Sequence, residues 1–172
     1  MHVLLTVGST HFDELVNECL SKSVLDVLQR RGVSSFSIQC GKYDIESRLG
    51  KNADGVWRLQ DAGIQMEIWR YKPTLNKEYN RADLVISHAG SGTILDVLRL
   101  RKPLVVISNP TLLDDHQSDL ASELDKSGHL KASTVKSLAA DLETFDFNSL
   151  KPFPKMEPTK FRSILDEEMG FI

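Results

Sequence analysis

The sequence contains a short loop of small residues whose backbone could bind an anion. Leu84 to Ser87 predicts a buried strand, and the apolar spacing from Thr93 to Leu100 predicts a helix. Between these two elements lie His88, Ala89, Gly90, Ser91 and Gly92. Backbone amides at the start of a helix bind phosphate when no bulky side chain covers them. The spacing therefore favours a phosphate-binding loop, with a plain tight turn between strand and helix as the alternative.

Two familiar phosphate-binding motifs do not fit this loop. The dinucleotide fingerprint would need a third glycine at Leu95, and a P-loop would need Lys and then Ser or Thr directly after a glycine. The sequence has neither pattern. A nicotinamide-type dehydrogenase and a P-loop NTPase are therefore disfavoured.

A carboxylate follows the loop at helical spacing. Asp96 lies three residues after Thr93, so a helix would bring both side chains to one face. A carboxylate repels phosphate, and in comparable folds an acid at a similar place binds a ribose diol. The alternative is structural, because Thr93 to Asp96 also has the spacing of a capping box.

Two further polar loops follow predicted strands. One carries Asn109 and then Asp114, Asp115, His116 and Gln117, and the other carries Gly8, Ser9, Thr10 and His11. Ligands of open parallel sheets bind at the carboxyl ends of the strands, so these loops are candidate binding residues. The alternative for the first loop is that an aspartate caps the next helix and His116 and Gln117 form its solvated first turn.

The elements that must position these residues alternate between strand and helix. This order predicts an α/β fold, a doubly wound Rossmann-like parallel sheet. Residues 42–63 predict an irregular region or a short hairpin. The predicted strands are Val3–Val7, Ser35–Cys40, Gln65–Tyr71, Leu84–Ser87 and Leu104–Ser108, and the predicted helices are 12–20, 24–30, 74–81, 93–100 and 115–126.

The domain organisation follows from length and proline content. The 172 residues suit one domain, predicted over residues 1–144. Residues 145–158 contain three prolines and predict an extended connector. Residues 159–172 predict a C-terminal amphipathic helix, which we expect to pack on the domain or to reach a partner.

Composition excludes several classes of protein. With 41% hydrophobic and 26% charged residues the chain is typical of a globular domain, and its net charge of -3 disfavours nucleic acid as a partner. No apolar run approaches the roughly 20 residues of a membrane span, and no secretory signal opens the chain. The cysteines, Cys19 and Cys40, fit a reduced cytoplasmic compartment. No histidine has metal-ligand spacing, so we expect no metal and no cofactor.

Four segments in order resemble the C-terminal donor-binding domain of family 28 glycosyltransferases. They are Tyr71–Leu75, Ala82–Gly92, Lys102–Val106 and the pair His116 and Gln117. Within that family the chain is similar to the small cytosolic subunits of bipartite UDP-N-acetylglucosamine transferases of dolichol-linked oligosaccharide synthesis. The opening Thr6–Thr10 fits those subunits too, and the likeness extends over residues 1–131.

The resemblance implies the donor half of a GT-B enzyme that works without a metal. Such an enzyme would transfer N-acetylglucosamine from UDP-GlcNAc to GlcNAc-diphosphodolichol with inversion, forming a β1,4 linkage. Gly90, Ser91, Gly92 and Thr93 would face the phosphates, Asp96 the ribose, and His116 and Gln117 the sugar.

The resemblance also implies a membrane-anchored, acceptor-binding partner subunit that recruits the chain to the cytosolic face of the endoplasmic reticulum. The general base remains open among His11, His88, His116 and a residue of the partner. The alternative functions are a non-catalytic nucleotide-sugar-binding module and another UDP-sugar enzyme, such as a hydrolysing epimerase.

Overall fold

A computed structural model describes residues 1–109, 116–155 and 167, with the side chains of residues 116 and 117 outside the description. Its strands are β1 His2–Thr6, β2 Ser35–Gln39, β3 Val56–Asp61, β4 Ile64–Trp69, β5 Leu84–His88, β6 Leu104–Ile107 and β7 Lys131–Ser133. Its helices are α1 Asp13–Cys19, α2 Lys22–Arg30, α3 Ile45–Leu49, α4 Asn76–Arg81, α5 Ser91–Arg99, α6 His116–Lys126 and α7 Leu138–Thr144, followed by a short 3-10 helix, Phe147–Ser149.

The seven strands form one sheet in the order β3-β4-β2-β1-β5-β6-β7. β3 runs antiparallel to β4, and the other neighbours pair in parallel. Every residue of β1 and β5 is buried, as expected for central parallel strands covered on both faces. The predicted doubly wound Rossmann-like sheet is confirmed.

Two hydrophobic clusters cover the two faces of the sheet. On one face, Val3 and Leu5 pack with apolar residues of α1, α2 and α7. On the other face, Leu4 and Val85 pack with residues of α4, α5 and α6. Four of the buried polar residues, Thr6, Gln39, Ser87 and His88, lie at or next to the carboxyl ends of their strands, whereas Ser37 lies within β2.

The helix α2, predicted over 24–30, begins two residues earlier, at Lys22. Ser21 caps the helix, because its hydroxyl accepts a hydrogen bond from the Val24 amide. Val24, Leu25, Val27 and Leu28 are buried at helical spacing. Gly32, at φ +78, follows the helix in the left-handed conformation that favours glycine.

Residues 42–63 differ in part from the prediction. The hairpin is present, because Gly63 at φ +74 helps the chain to turn between β3 and β4. The short helix α3 was not predicted. It contains five residues, and its Asp44 cap accepts a hydrogen bond from the Ser47 amide. A helix of that length offers little periodicity in a sequence.

Residues 145–155 lie against the domain. Phe147 packs on one hydrophobic cluster and Phe153 on the other. Arg31 holds the start of this segment, because its Nη1 donates to the carbonyl oxygens of Leu142 and Phe145 at 2.7 and 3.1 Å. The division of the chain into 1–144, 145–158 and 159–172 remains a prediction. The helix predicted for residues 159–172 lies outside the described residues, apart from Glu167.

None of the helices over the described ranges is long and apolar enough to span a bilayer. The same ranges contain no group of three or more His, Cys, Asp or Glu side chains that could hold a metal ion.

Candidate functional site

The candidate site lies where the direction of the sheet reverses. From β1 the chain continues to β2 on one side, and from β5 it continues to β6 on the other. β1 and β5 are neighbours, so the loops at their carboxyl ends diverge and leave a crevice between them. Ligands of open α/β sheets bind in such a crevice. The predicted loops at Gly8 and at Gly90 both belong to it.

The loop after β5 leaves the start of α5 open. Gly90 is the N-cap residue, with φ -75 and ψ 122, so no capping side chain covers the first amides. Ser91 and Gly92 are exposed. A Cβ built on Gly92 would meet no described atom within 4 Å. Among the described residues, no side chain caps the amides of the first turn or covers the positive end of the helix at Gly92, as an anion site requires.

The capping-box interpretation of Thr93 and Asp96 is wrong. α5 begins at Ser91, two residues earlier than the apolar spacing predicts, and its N-cap is Gly90. Thr93 is therefore the third residue of the helix, and Asp96 is the sixth. Asp96 is exposed and lies beyond the first turn, where it cannot bond the N-cap amide.

Two glycines enclose the ring of His88. A Cβ on Gly8 would lie 2.5 Å from Cε1 of the imidazole, and a Cβ on Gly90 would lie 2.4 Å from Nε2. Gly8 also has φ +62, so it favours glycine for conformational reasons too. The ring therefore touches both loops of the crevice and links the end of β1 to the start of α5.

The His88 imidazole is held in its neutral form. The side chain is 8% exposed, and burial lowers its pKa from the ordinary histidine value. Nδ1 lies 3.4 Å from the Thr6 carbonyl oxygen, which can only accept a hydrogen bond. This contact favours the tautomer with the proton on Nδ1. Within the described ranges Nε2 has no hydrogen-bond partner and keeps its lone pair.

Gln39, which the sequence did not single out, joins three strand ends. Its Oε1 accepts from the Thr6 hydroxyl at 2.6 Å and from the Gly8 amide at 2.9 Å. Its Nε2 donates to the carbonyl oxygens of Gly8 at 2.8 Å and Arg70 at 2.7 Å. In a single sequence, a glutamine at the end of an apolar strand resembles an ordinary surface residue. The only feature that could have marked Gln39 as part of the site was its position directly after Ile38, at the end of a predicted strand.

The loop after β1 is tied to the far side of the crevice by Asn109. The Asn109 Nδ2 donates to the His11 carbonyl oxygen at 2.9 Å, and this bond spans the end of β5. Thr10 closes the loop on itself, because its hydroxyl donates to the Val7 carbonyl oxygen at 2.8 Å. Ser9 is exposed. Asn109 therefore holds the shape of the loop with one of its amide hydrogens.

His11 differs from His88 in its surroundings. Its imidazole is 66% exposed, and Nδ1 lies 3.8 Å from Oδ1 of Asp13. Of the three histidines predicted as candidates for the general base, His11 and His88 both lie at the crevice.

A buried tyrosine of α4 lies close to the start of α5. Burial raises the Tyr79 pKa, the Thr93 side chain lowers it, and the nearby Asp96 charge raises it. The tyrosine therefore remains neutral beside Thr93 and the exposed Asp96.

The remaining predicted residues belong to the loop after β6 and to α6. α6 begins at His116, and β6 is the strand next to β5, so His116 and Gln117 start their helix at the same edge of the sheet. Their side chains, and the whole of Asp114 and Asp115, lie outside the described residues.

The comparisons with known proteins agree with this architecture. The chain is 34% identical to the UDP-N-acetylglucosamine transferase subunit ALG13 of Cryptococcus neoformans var. neoformans serotype D, over 98% of this chain and 96% of that protein. It is 35% identical to the subunit of that name from Mus musculus, over 78% of this chain and 11% of that protein.

Among solved structures, the chain is similar to the NMR structure of ALG13, with a TM-score of 0.67 and 26% identity, covering 95% of this chain and 94% of that one. It also shares its fold with Acinetobacter baumannii MurG, with a TM-score of 0.61 and 22% identity over 87% of this chain and 42% of MurG. The model of the glycosyltransferase family 28 C-terminal domain matches residues 2–167. The chain thus belongs to the glycosyltransferase family 28 C-terminal domain family.

Proposed function

We propose that this chain is the donor-binding subunit of a UDP-N-acetylglucosamine transferase. One observation carries the proposal: the uncapped start of α5 opens beside His88 in the crevice where the sheet reverses direction. The chain's family and the printed names of its relatives support a nucleotide sugar, UDP-GlcNAc, as the ligand of that crevice.

The diphosphate of the donor would lie against Gly90, Ser91, Gly92 and Thr93. When the bond to the sugar breaks, negative charge develops on the departing UDP. The amides and the positive end of α5 are already aimed at this charge, so they stabilise the transition state without rearranging. The open space at Gly92 allows an oxygen atom to approach the backbone closely.

The other groups of the crevice would bind the rest of the donor. Asp96 is exposed one turn after Thr93, where its carboxylate can accept hydrogen bonds from a ribose diol while the phosphates stay at the start of the helix. We assign the N-acetylglucosamine to His116 and Gln117, whose helix starts at the neighbouring strand end.

The acceptor hydroxyl must lose a proton as it attacks the sugar. Of the two candidate histidines whose side chains are described, His11 is the better-placed base, because its imidazole is exposed and has the Asp13 carboxylate next to it. His88 is less suitable for this step, because it is enclosed by two glycines.

The acceptor side belongs, in this proposal, to another chain. The alignment covers 42% of MurG, so the fold seen here corresponds to one part of a longer glycosyltransferase. The relatives are named as a transferase subunit. We propose a membrane-anchored partner that binds GlcNAc-diphosphodolichol, recruits this chain to the cytosolic face of the endoplasmic reticulum, and completes the cleft in which the β1,4 linkage forms with inversion.

Isothermal titration calorimetry of the purified chain with UDP-GlcNAc tests the donor site. We expect binding of UDP-GlcNAc and of UDP, with much weaker binding of GDP-mannose. Failure to bind any uridine nucleotide, by a chain shown to be folded, would contradict the proposal. Binding without transfer in the presence of partner membranes would favour a non-catalytic module, and release of a free epimerised sugar would favour an epimerase.

A further inference from the structure

We infer that Gln39 is a positioning residue of the donor site, which acts through His88 and the loop after β1. The inference rests on the proposed function for the identity of the ligand. Gln39 itself touches neither the glycine loop nor the open space beside it. Its role follows from the four hydrogen bonds that its side chain makes at the carboxyl edge of the sheet.

The side-chain amide of Gln39 uses all of its hydrogen-bonding capacity. A glutamine amide has two lone pairs on Oε1 and two hydrogens on Nε2. Both lone pairs receive donors, from Thr6 and Gly8, and both hydrogens reach carbonyl oxygens, of Gly8 and Arg70. The side chain is 2% exposed. A backbone amide can only donate and a carbonyl can only accept, so the orientation of the Gln39 amide is fixed.

The groups that Gln39 holds are the groups that hold His88. Gln39 bonds both the amide and the carbonyl of Gly8, which lies against the imidazole ring. It also bonds the side chain of Thr6, whose carbonyl oxygen lies next to His88 Nδ1. The position of the ring beside Gly90 therefore depends on one amide two strands away.

Gln39 also connects this loop to a second one. Arg70 directly follows β4 and leads into the exposed Tyr71. The same Nε2 bonds the carbonyl oxygens of Gly8 and Arg70, so the ends of β1, β2 and β4 share one bonded centre. Gly41 packs against this centre, because a Cβ there would lie 3.1 Å from the Gly8 carbonyl oxygen.

Substitutions at Gln39 separate positioning from simple packing. Gln39→Leu keeps the approximate volume but removes all four hydrogen bonds of the amide. The Gly8 amide then keeps only the longer bond to the Thr6 hydroxyl, at 3.3 Å, and the Arg70 carbonyl oxygen only the bond from the Gly41 amide, at 3.3 Å. Gln39→Glu keeps the shape and the two acceptor positions, but a carboxylate oxygen then faces the carbonyl oxygens of Gly8 and Arg70. Protonation of that glutamate restores one donor, so the defect of Gln39→Glu should be relieved at lower pH.

The test measures UDP-GlcNAc affinity by calorimetry and the tautomer of His88 from its imidazole 15N shifts without ligand. We expect Gln39→Leu to weaken donor binding about ten- to a hundredfold and to mix the two His88 tautomers. For Gln39→Glu, the loss of UDP-GlcNAc affinity relative to wild type should be smaller at about pH 6 than at about pH 8, because burial between carbonyl oxygens raises the pKa of the new carboxyl group.

Leu142→Ala is the matched control. Leu142 is fully buried on α7, in the cluster that packs α2 and α7 on the sheet, and it lies outside the crevice. Truncation of the Leu142 side chain leaves a cavity, which lowers the free energy of unfolding. It should leave the donor affinity and the His88 15N shifts unchanged.

Two results would overturn the inference: unchanged His88 shifts in Gln39→Leu, or an equal loss of affinity in Leu142→Ala. Absence of donor binding by the wild-type chain would contradict the proposed function, and the His88 shifts would still decide the role of Gln39.

Discussion

A Cβ on Gly90 would lie 2.4 Å from Nε2 of His88, so the imidazole occupies the space that any other residue at position 90 would need. Gly92, two residues later, has no described neighbour within 4 Å of its built Cβ. The two glycines of the loop therefore have different roles. Gly90 accommodates a neighbouring side chain of the same protein, and Gly92 leaves room for a ligand.

Substitutions of the two glycines should have opposite effects. Gly92→Val should change the free energy of unfolding by less than about 1 kcal/mol, because its side chain enters open space. It should weaken UDP-GlcNAc binding by more than about tenfold, since the new side chain blocks the diphosphate and two lost hydrogen bonds of about 1 kcal/mol each correspond to about thirtyfold. Gly90→Ala should lower the stability by about 1 to 3 kcal/mol, because the enclosed ring must move.

Urea unfolding and calorimetry on both variants check this prediction. If the Gly92→Val protein is unstable, or if it binds the donor as tightly as wild type does, the assignment of the glycine loop to the donor site is wrong.

Loss of polar groups around the donor should cost affinity without unfolding the protein. Asp96→Ala and Gln117→Ala should each weaken UDP-GlcNAc use about ten- to a hundredfold, with the larger effect for Asp96 because it is charged. Asp26→Ala, which breaks a surface ion pair with Lys22 on α2, is the control. Competition against labelled UDP-GlcNAc measures the effect, and equal affinities of Asp96→Ala and Asp26→Ala would exclude the ribose assignment.

Two buried histidines should make the fold sensitive to acid. Burial lowers the pKa of both His2 and His88. Between the ordinary imidazole pKa of about 6.5 and these lower values the unfolded chain binds more protons, so stability rises with pH. The contribution is fully present above about pH 6.5 and is lost as the pH falls.

Urea midpoints at about pH 7.5 and about pH 5.5 test the histidine effect. Three carboxyl groups also have a lowered pKa, those of Asp44, Asp54 and Glu143. They change the stability only at pH values below the ordinary carboxyl pKa, which lies outside this window. His88→Asn should flatten the dependence of the midpoint on pH. The same slope in wild type and variant would show that His88 is not buried as a neutral ring.

His11 should affect the rate of transfer more than the binding of donor. In His11→Ala we expect a kcat at least about a hundredfold lower, because general base catalysis is lost, and a donor Kd near the wild-type value. Glu14→Ala, at an exposed position of α1 three residues later, is the matched control. A kcat in His11→Ala equal to that of Glu14→Ala would exclude His11 as the base.

The central sheet could be predicted from the sequence because its strands are apolar and short. β6 contains only Val, Leu and Ile, β1 and β5 each contain three of these residues in a row, and glycine loops or helical spacing separate the strands. The prediction is weaker where an element has few residues. β7 has three residues of intermediate exposure, and neither it nor α7 was predicted.

The candidate site could be predicted only as far as its backbone. The loop at Gly90 follows from small residues between strand and helix, but the start of α5 was placed two residues late because Ser91 and Gly92 favour a helix interior weakly. The contacts of Gln39 and Asn109 join residues 31 and 98 positions apart. Such contacts depend on the order of strands in the sheet, which local spacing does not specify.

Transfer of radiolabelled N-acetylglucosamine from UDP-GlcNAc to GlcNAc-diphosphodolichol, by the purified chain with and without partner-bearing membranes, tests the central claim most directly. One cleft must hold both substrates for the reaction to be fast, and this chain supplies the donor side of it. We expect no transfer by the chain alone, transfer when membranes are added, and its loss when Gly92→Val replaces wild type. Robust transfer by the chain alone, at a rate that membranes do not raise, would contradict the account.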